Sequence, residues 1–285
     1  MSLMITYKNE LGEVVMKGGG GDATFRITAI EGLGLVARDY SAAVYSGYDG
    51  QETLGSRAQA RTITIGLEVV DKDVTYAVRS ALRVLSREGT LYIKNENTDR
   101  RIRCSQVQIP DVTRVLQGEI ASFGLQLVCD SPYFEDGTDT VVPLYRRTKL
   151  LKTPFTLPTV FGDIVIGATI RILGMVPVEP IITLYYPSPL EGVERIAITN
   201  ETTGASIKLD YAPQANDTVT IDIKNRKILS SVSGNLINYL SEDTFLGDFV
   251  LAYGVNSLSV DLGDVTSGFT IECRYNNLYN EAVIV

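Results

Sequence analysis

The chain has 285 residues, is 45% hydrophobic and 21% charged, and carries a net charge of −8, the composition of a folded protein with room for one large or two ordinary domains. It contains no histidine, which removes the usual general base, triad member and commonest metal ligand in one step; it also lacks tryptophan, so a sugar-stacking surface would have to draw on its 15 tyrosines. Residues 1–135 hold 15 basic and 17 acidic side chains and residues 136–285 hold 11 and 17, so neither half offers the basic face that nucleic-acid binding requires.

The N-terminus has no basic start followed by an apolar stretch, so no signal peptide is expected. No run of about 18 apolar residues predicts a membrane helix. Val14 to Met16 and Ala23 to Ile30 read as short strands. The run Gly18-Gly19-Gly20-Gly21-Asp22 between them lacks the Lys-Ser/Thr and the helix of a phosphate loop, so it reads as a flexible turn. From Arg38 to Gln59 the chain is rich in Gly, Ser, Ala and Tyr, with Asp49-Gly50 as a hairpin tip. A segment of this length between strands predicts an extended arm at about 38–60.

Over 61–69 Ile63, Ile65, Leu67 and Val69 alternate with Thr62, Thr64 and Glu68, a strand with one buried face. The period then changes: Val74, Ala77, Val78, Ala81, Leu82 and Leu85 form one apolar stripe, predicting a helix capped by Asp71 or Asp73 and ended before Gly89. Arg79, Arg83 and Arg87 line its outer flank. Strands are expected at 89–95, 101–109, 112–116 and 119–129, with turns at Asn95–Asp99 and Pro110-Asp111. In the last of them Leu125, Leu127 and Cys129 alternate with Gln126, Val128 and Asp130. Asp130-Ser131-Pro132 then stops the ladder, since proline has no N–H to donate.

Residues 137–165 read as a linker, with Pro143, Pro154, Pro158 and the basic residues Arg146, Arg147, Lys149 and Lys152. After it alternating segments follow one another at 180–186, 195–199, 205–209, 218–224, 227–231, 257–262 and 269–275. Turn residues separate them, the pattern of an antiparallel β-sandwich. The predicted organisation is a domain at 1–136, a linker at 137–165 and a second domain at 166–285.

Chemistry is sparse. Cys104, Cys129 and Cys273 fit no metal spacing, and their odd number argues against a disulfide framework, so they read as buried thiols of a protein made in the cytoplasm. Asp222, Glu242, Asp243, Asp261 and Asp264 are carboxylates that nothing pairs across a cleft. Asp261-Leu-Gly-Asp264 is far short of a calcium loop. Tyr185 and Tyr186 point to opposite faces of a strand, so at most one could stack a sugar. No catalytic residue, metal ligand or cofactor site is expected.

Several of these segments, in their order, resemble siphophage distal tail proteins. The strand over 61–69, the capped helix, the strand pair across Asn95–Asp99 and the Leu125–Asp136 stop with its Cys-Asp-Ser-Pro-Tyr-Phe resemble that family's N-terminal domain. Val219-Thr-Ile-Asp-Ile-Lys-Asn-Arg-Lys-Ile-Leu-Ser, then Ser233-Gly-Asn, Leu246-Gly-Asp-Phe, Tyr253-Gly-Val-Asn-Ser-Leu-Ser-Val and Ile271–Tyr275 resemble its C-terminal domain. The resemblance implies a mainly β protein. Its N-terminal domain would be a tail-tube-like β-sandwich or split barrel with one α-helix, and its C-terminal domain a galectin-like antiparallel β-sandwich. It implies no enzyme but a homohexameric ring at the distal end of the tail tube, at the virion tail tip, after synthesis in the bacterial host cytoplasm. The tail tube protein, tape-measure protein and hub or adhesion protein would be its partners, and the arm would embrace the next subunit. DNA would pass through a lumen lined by acidic or neutral side chains, without specific binding and with no membrane partner. The C-terminal half has no insertion long enough for an added carbohydrate module. The alternative is a carbohydrate-binding β-sandwich acting in host-surface recognition.

Overall fold

Strand alternation organises the chain from its start. The computed structural model describes residues 3–18, 23–109, 112–115, 120–149, 162–187, 195–261 and 270–282. β1 (Met4–Asn9) and β2 (Gly12–Lys17) form a hairpin that faces Ile5 and Tyr7 against Met16 and Val14 inside. β3 (Phe25–Glu31) lies parallel to β2. Among the described residues, β4 (Arg38–Ala43) and β5 (Glu52–Ala58) pair only with each other. β6 (Arg61–Val70) buries alternate residues, as its sequence predicts.

α1 (Val74–Leu85) begins where Asp73 accepts a 3.0 Å hydrogen bond from the Tyr76 N–H, filling one of the vacant donors of the first turn. Its buried stripe is Val74, Ala77, Val78, Ala81, Val84 and Leu85. Val84 takes the fully inward position that the periodicity gave to Leu82, which is half-buried at the edge. The helix covers β2, β6 and β1. β7 (Gly89–Lys94), β8 (Asp99–Cys104), β9 (Gln106–Gln108), β10 (Val112–Val115), β11 (Ile120–Cys129) and β12 (Phe134–Asp136) complete this part.

The sheet runs β10-β11-β6-β3-β2-β1-β7-β8-β12. It also curls upon itself. β9 continues β8 past Ser105 and pairs with β11, at the other end of the order. Apolar side chains from β1, β2, β6, β7, β11 and α1 fill the interior.

The second compact unit is residues 138–278. It contains β13 (Thr140–Lys149), β14 (Gly162–Ile166), β15 (Ala168–Ile172), β16 (Ile181–Tyr186), β17 (Ile196–Asn200), β18 (Ala205–Leu209), β19 (Asp217–Asp222), β20 (Lys227–Ser230), β21 (Gly234–Asn235), β22 (Gly254–Asp261) and β23 (Thr270–Tyr275). One sheet runs β14-β13-β23-β16-β19-β20-β21 and the other β15-β22-β17-β18, every described pair antiparallel. Ile182, Leu184, Tyr186, Val219 and Ile221 from the first sheet and Ile172, Ile198, Leu258 and Val260 from the second share one core, that of a sandwich.

Two boundaries differ from the sequence reading. The segment expected as a linker contributes β13 and β14, because Pro143 sits at a register shift between Pro143 and Tyr145, where a missing N–H costs no ladder bond. Pro154, Pro158 and Lys152 lie outside the described residues. The C-terminal end, expected in the sandwich, belongs to the first unit: β24 (Leu278–Tyr279) adds to the sheet beside β12, and the described residues from Tyr279 on cluster with the first unit. The sandwich is thus inserted between two segments of the first unit.

Candidate assembly site: the arm and its root

The β4–β5 hairpin has an unusual environment. None of its residues is buried. Leu35, Tyr40, Val44, Tyr45, Tyr48 and Leu54 are all exposed, Leu35 and Tyr48 at 82% and 80%. Local polar contacts shape it: Tyr45 donates to the Glu52 carboxylate at 3.1 Å, Arg38 Nε to Ser56 Oγ at 3.1 Å, and the Gln59 amide side chain bonds Asp39. An isolated two-stranded ribbon is marginal in water, and a contiguous exposed apolar patch marks an interaction surface.

Its root is held by Arg61, which is 4% exposed. The guanidinium donates to four backbone carbonyls: Nη1 to Gly32 at 2.6 Å and Gly34 at 2.8 Å, Nε to Pro132 at 2.7 Å, and Nη2 to Asn280 at 2.6 Å. It also lies 4.5 Å over the Phe134 ring, a cation–π contact. Burial lowers its pKa from the ordinary arginine value, with the charge of Glu281 opposing that shift; arginine nonetheless stays protonated. One side chain therefore ties the loop that leads into the arm, the Asp130-Ser131-Pro132 stop and the returning tail. Nearby, Ala282 N–H donates to Leu33 at 2.9 Å, and Arg100 pairs with Asp136 at 2.6 Å while stacking 3.6 Å over Tyr279.

Sequence reading missed Arg61, although a signal was present. It shares the parity of Ile63, Ile65, Leu67 and Val69, so it stands on the apolar face of its strand. Asp217 was missed as well, although it shares the parity of Val219 and Ile221. Its buried carboxylate accepts from Ser230 at 2.7 Å, Tyr211 at 2.8 Å and Ser231 at 3.1 Å. The resemblance motif Tyr253-Gly-Val-Asn256 also gains a physical role. Fully buried Asn256 accepts from Ala252 N–H at 2.9 Å and donates to its carbonyl at 2.7 Å, closing the turn before β22, and accepts from Asn200 at 3.1 Å.

The remaining candidates scatter. Asp222 caps its turn by accepting from Asn225 N–H at 2.9 Å, Asp243 pairs with Lys208, and Glu242 is exposed. Asp264 lies outside the described residues. Among the described residues no group of histidine, cysteine or carboxylate side chains gathers as a metal site. A shallow cleft of about 330 Å³ in the first unit mixes Lys8, Arg87 and Arg103 with Glu10 and Glu88, and Arg103 pairs with Glu88 at 3.0 Å. Tyr185 is 43% exposed and Tyr186 buried, on the opposite faces that a strand imposes.

Residues 173–279 match the family model of the siphovirus-type tail component, C-terminal domain. That segment is similar to the C-terminal domain of siphovirus-type tail components. No curated relative matches it. Among solved structures, it is similar to the SPP1 Dit (gp 19.1) protein, described as a paradigm of the hub adsorption apparatus in phages infecting Gram-positive bacteria. The TM-score is 0.65 at 11% identity, covering 97% of this chain and 98% of that one. It is also similar to a chain of the phage P2 baseplate in its activated conformation with calcium, with TM-score 0.52 at 12% identity over 96% of this chain and 98% of that one. Over nearly its full length the chain has the fold of the SPP1 Dit protein.

Proposed function

We propose that this protein is a structural component of the phage tail tip that forms a homohexameric ring at the distal end of the tail tube. The first unit forms the ring, and the arm engages the neighbouring copy. The sandwich serves the adhesion side. The tail tube, tape-measure and hub proteins are its partners, DNA passes through an acidic or neutral lumen, and the work is binding rather than catalysis. The observation that carries this reading is the β4–β5 hairpin, a ribbon whose large apolar side chains are all left to solvent by its own chain. The siphovirus-type match of the C-terminal domain and the full-length fold likeness support it.

The test is native mass spectrometry of the full-length chain and of a variant lacking residues 44–55, each with and without purified tail tube protein. The reading expects a six-fold species that the deletion abolishes while leaving thermal unfolding in place, because shortening a loop changes closure entropy only slightly. Unchanged oligomerisation after deletion would overturn the arm's role. A strict monomer that binds immobilised glycans would favour the host-surface lectin.

A further inference from the structure

We propose that Cys104 and Cys129 form a disulfide-bonding pair that fastens the seam where the first unit's sheet meets itself. Their sulfurs are 3.3 Å apart and both side chains are fully buried. In sheet order β6, β3, β2, β1 and β7 lie between their strands; the two meet because β9 turns back onto β11. Ser105 marks that corner. Its N–H donates to Val128 at 2.9 Å and its hydroxyl to Asp130 at 2.8 Å, holding the end of β8 against the end of β11. A disulfide has a sulfur–sulfur length of about 2.05 Å, so closing the bond brings the two sulfurs together by little more than an ångström. The third thiol, Cys273, is buried in the core of the other unit.

In the reduced protein the pair is protected. Cys104 shares a hydrogen bond with Cys129, and this bond together with burial raises its pKa well above the ordinary thiol value. Exchange with bulky disulfides, which needs an exposed thiolate, is therefore disfavoured. Hydrogen peroxide still reacts with the thiolate, but it is small enough to enter through a local opening, in which the thiol meets water and can ionise. With hydrogen peroxide, one thiol gains an oxygen to become a sulfenic acid and releases water; the neighbouring thiol attacks that sulfur, and a second water leaves as the disulfide forms. Each cysteine loses one hydrogen and the peroxide is reduced to two waters. Access comes by local opening of β9, a three-residue strand at the sheet edge whose described pairing is to β11 alone. The bond would close a loop through β9, β10 and β11 and so stabilise the first unit by restricting its unfolded chain.

The experiment uses the full-length chain with Cys273→Ser, treated with hydrogen peroxide in urea below the unfolding transition, then mapped as non-reduced peptides. The expected product has lost two hydrogens, contains one crosslink between the Cys104 and Cys129 peptides, runs as a monomer, and melts about 5 °C or more higher until dithiothreitol reverses the gain. The added substitution Cys129→Ala is expected to remove that gain. Sulfinic acid accumulating at either cysteine without the crosslink, a bond between chains, or the same gain in Cys129→Ala would overturn the inference.

Discussion

Arg61 and Asn280, 219 residues apart in sequence, are joined by a 2.6 Å hydrogen bond from the guanidinium to the Asn280 carbonyl. This contact explains how a chain that leaves the first unit at Gly137 is recaptured by it at Tyr279. A lysine could not do the same work, because its compact ammonium lacks the planar fork that reaches four carbonyls at once. Arg61→Ala removes the donor shared by four part-buried bonds, two of them to exposed glycines, and the expected cost is about 2–3 kcal/mol. Arg61→Lys should recover less than half of it. Urea unfolding measures both, and carboxypeptidase digestion should remove the tail faster from the alanine variant. A loss under about 1 kcal/mol would show that water replaces the guanidinium.

Gly32 supplies one of those carbonyls from a backbone with φ +87°, and a Cβ there would lie 2.2 Å from the Thr62 carbonyl oxygen. Both the left-handed conformation and the contact exclude a side chain. Gly32→Ala should destabilise by about 2 kcal/mol or more, visible as a lower thermal midpoint. Gly34, with open space around its Cβ position, is the control substitution and should change little.

Much of the fold is written in local periodicity, and what escaped is what is not local. The helix was legible because its stripe, its Asp73 cap and its stop lie within a few turns. β6 and β11 were legible because one face of each is buried along its whole length. β13 was hidden by Pro143, which forbids a ladder bond in general but is harmless at a bulge. β1, paired on both sides by β2 and β7, was passed over because its six residues gave too short a pattern beside the chain terminus. The arm was visible as a long Gly- and Tyr-rich excursion, whereas its root was not. Arg61's acceptors come from three distant segments, and only its parity with Ile63 betrayed it.

Asp217 should make the sandwich acid-sensitive. Burial pushes its carboxyl upward, but hydrogen bonds from Ser230, Tyr211, Ser231 and the Val232 backbone outweigh it and hold the pKa below the ordinary value. A group depressed in the folded state stabilises fully above its unfolded pKa, near 3.9 for aspartate. That stabilisation is lost as pH falls from there through the folded value. Asp217→Asn should cost about 2 kcal/mol at neutral pH by leaving hydroxyls poorly paired. It should also flatten the decline of the urea midpoint in the acid range; an equally steep decline in the variant would assign the acid sensitivity to other groups.

The arm's surface can be separated from its fold. Tyr48 and Leu54 are exposed and touch no core, so Tyr48→Asp with Leu54→Asp should shift unfolding by no more than about 0.5 kcal/mol per site. The same pair should weaken self-association strongly, because charge would be buried without a partner at the interface. Sedimentation velocity across a concentration series reads the second effect and urea unfolding the first. Association equal to that of the parent chain would exclude these two side chains from the interface.

The turn before β22 rests on Asn256, whose amide both accepts from and donates to Ala252. An aspartate there keeps the acceptor but loses the donor, and places a charge where the side chain is fully buried and meets the Asn200 amide. An alanine loses both bonds and strands the Ala252 amide and the partner amide of Asn200. Asn256→Ala should therefore cost about 2–4 kcal/mol, and Asn256→Asp should cost at least as much at neutral pH but less once acid protonates the new carboxyl and restores a donor. Urea midpoints of the two variants should converge or cross as pH is lowered. Parallel curves would mean that water, rather than Asn256, satisfies the turn.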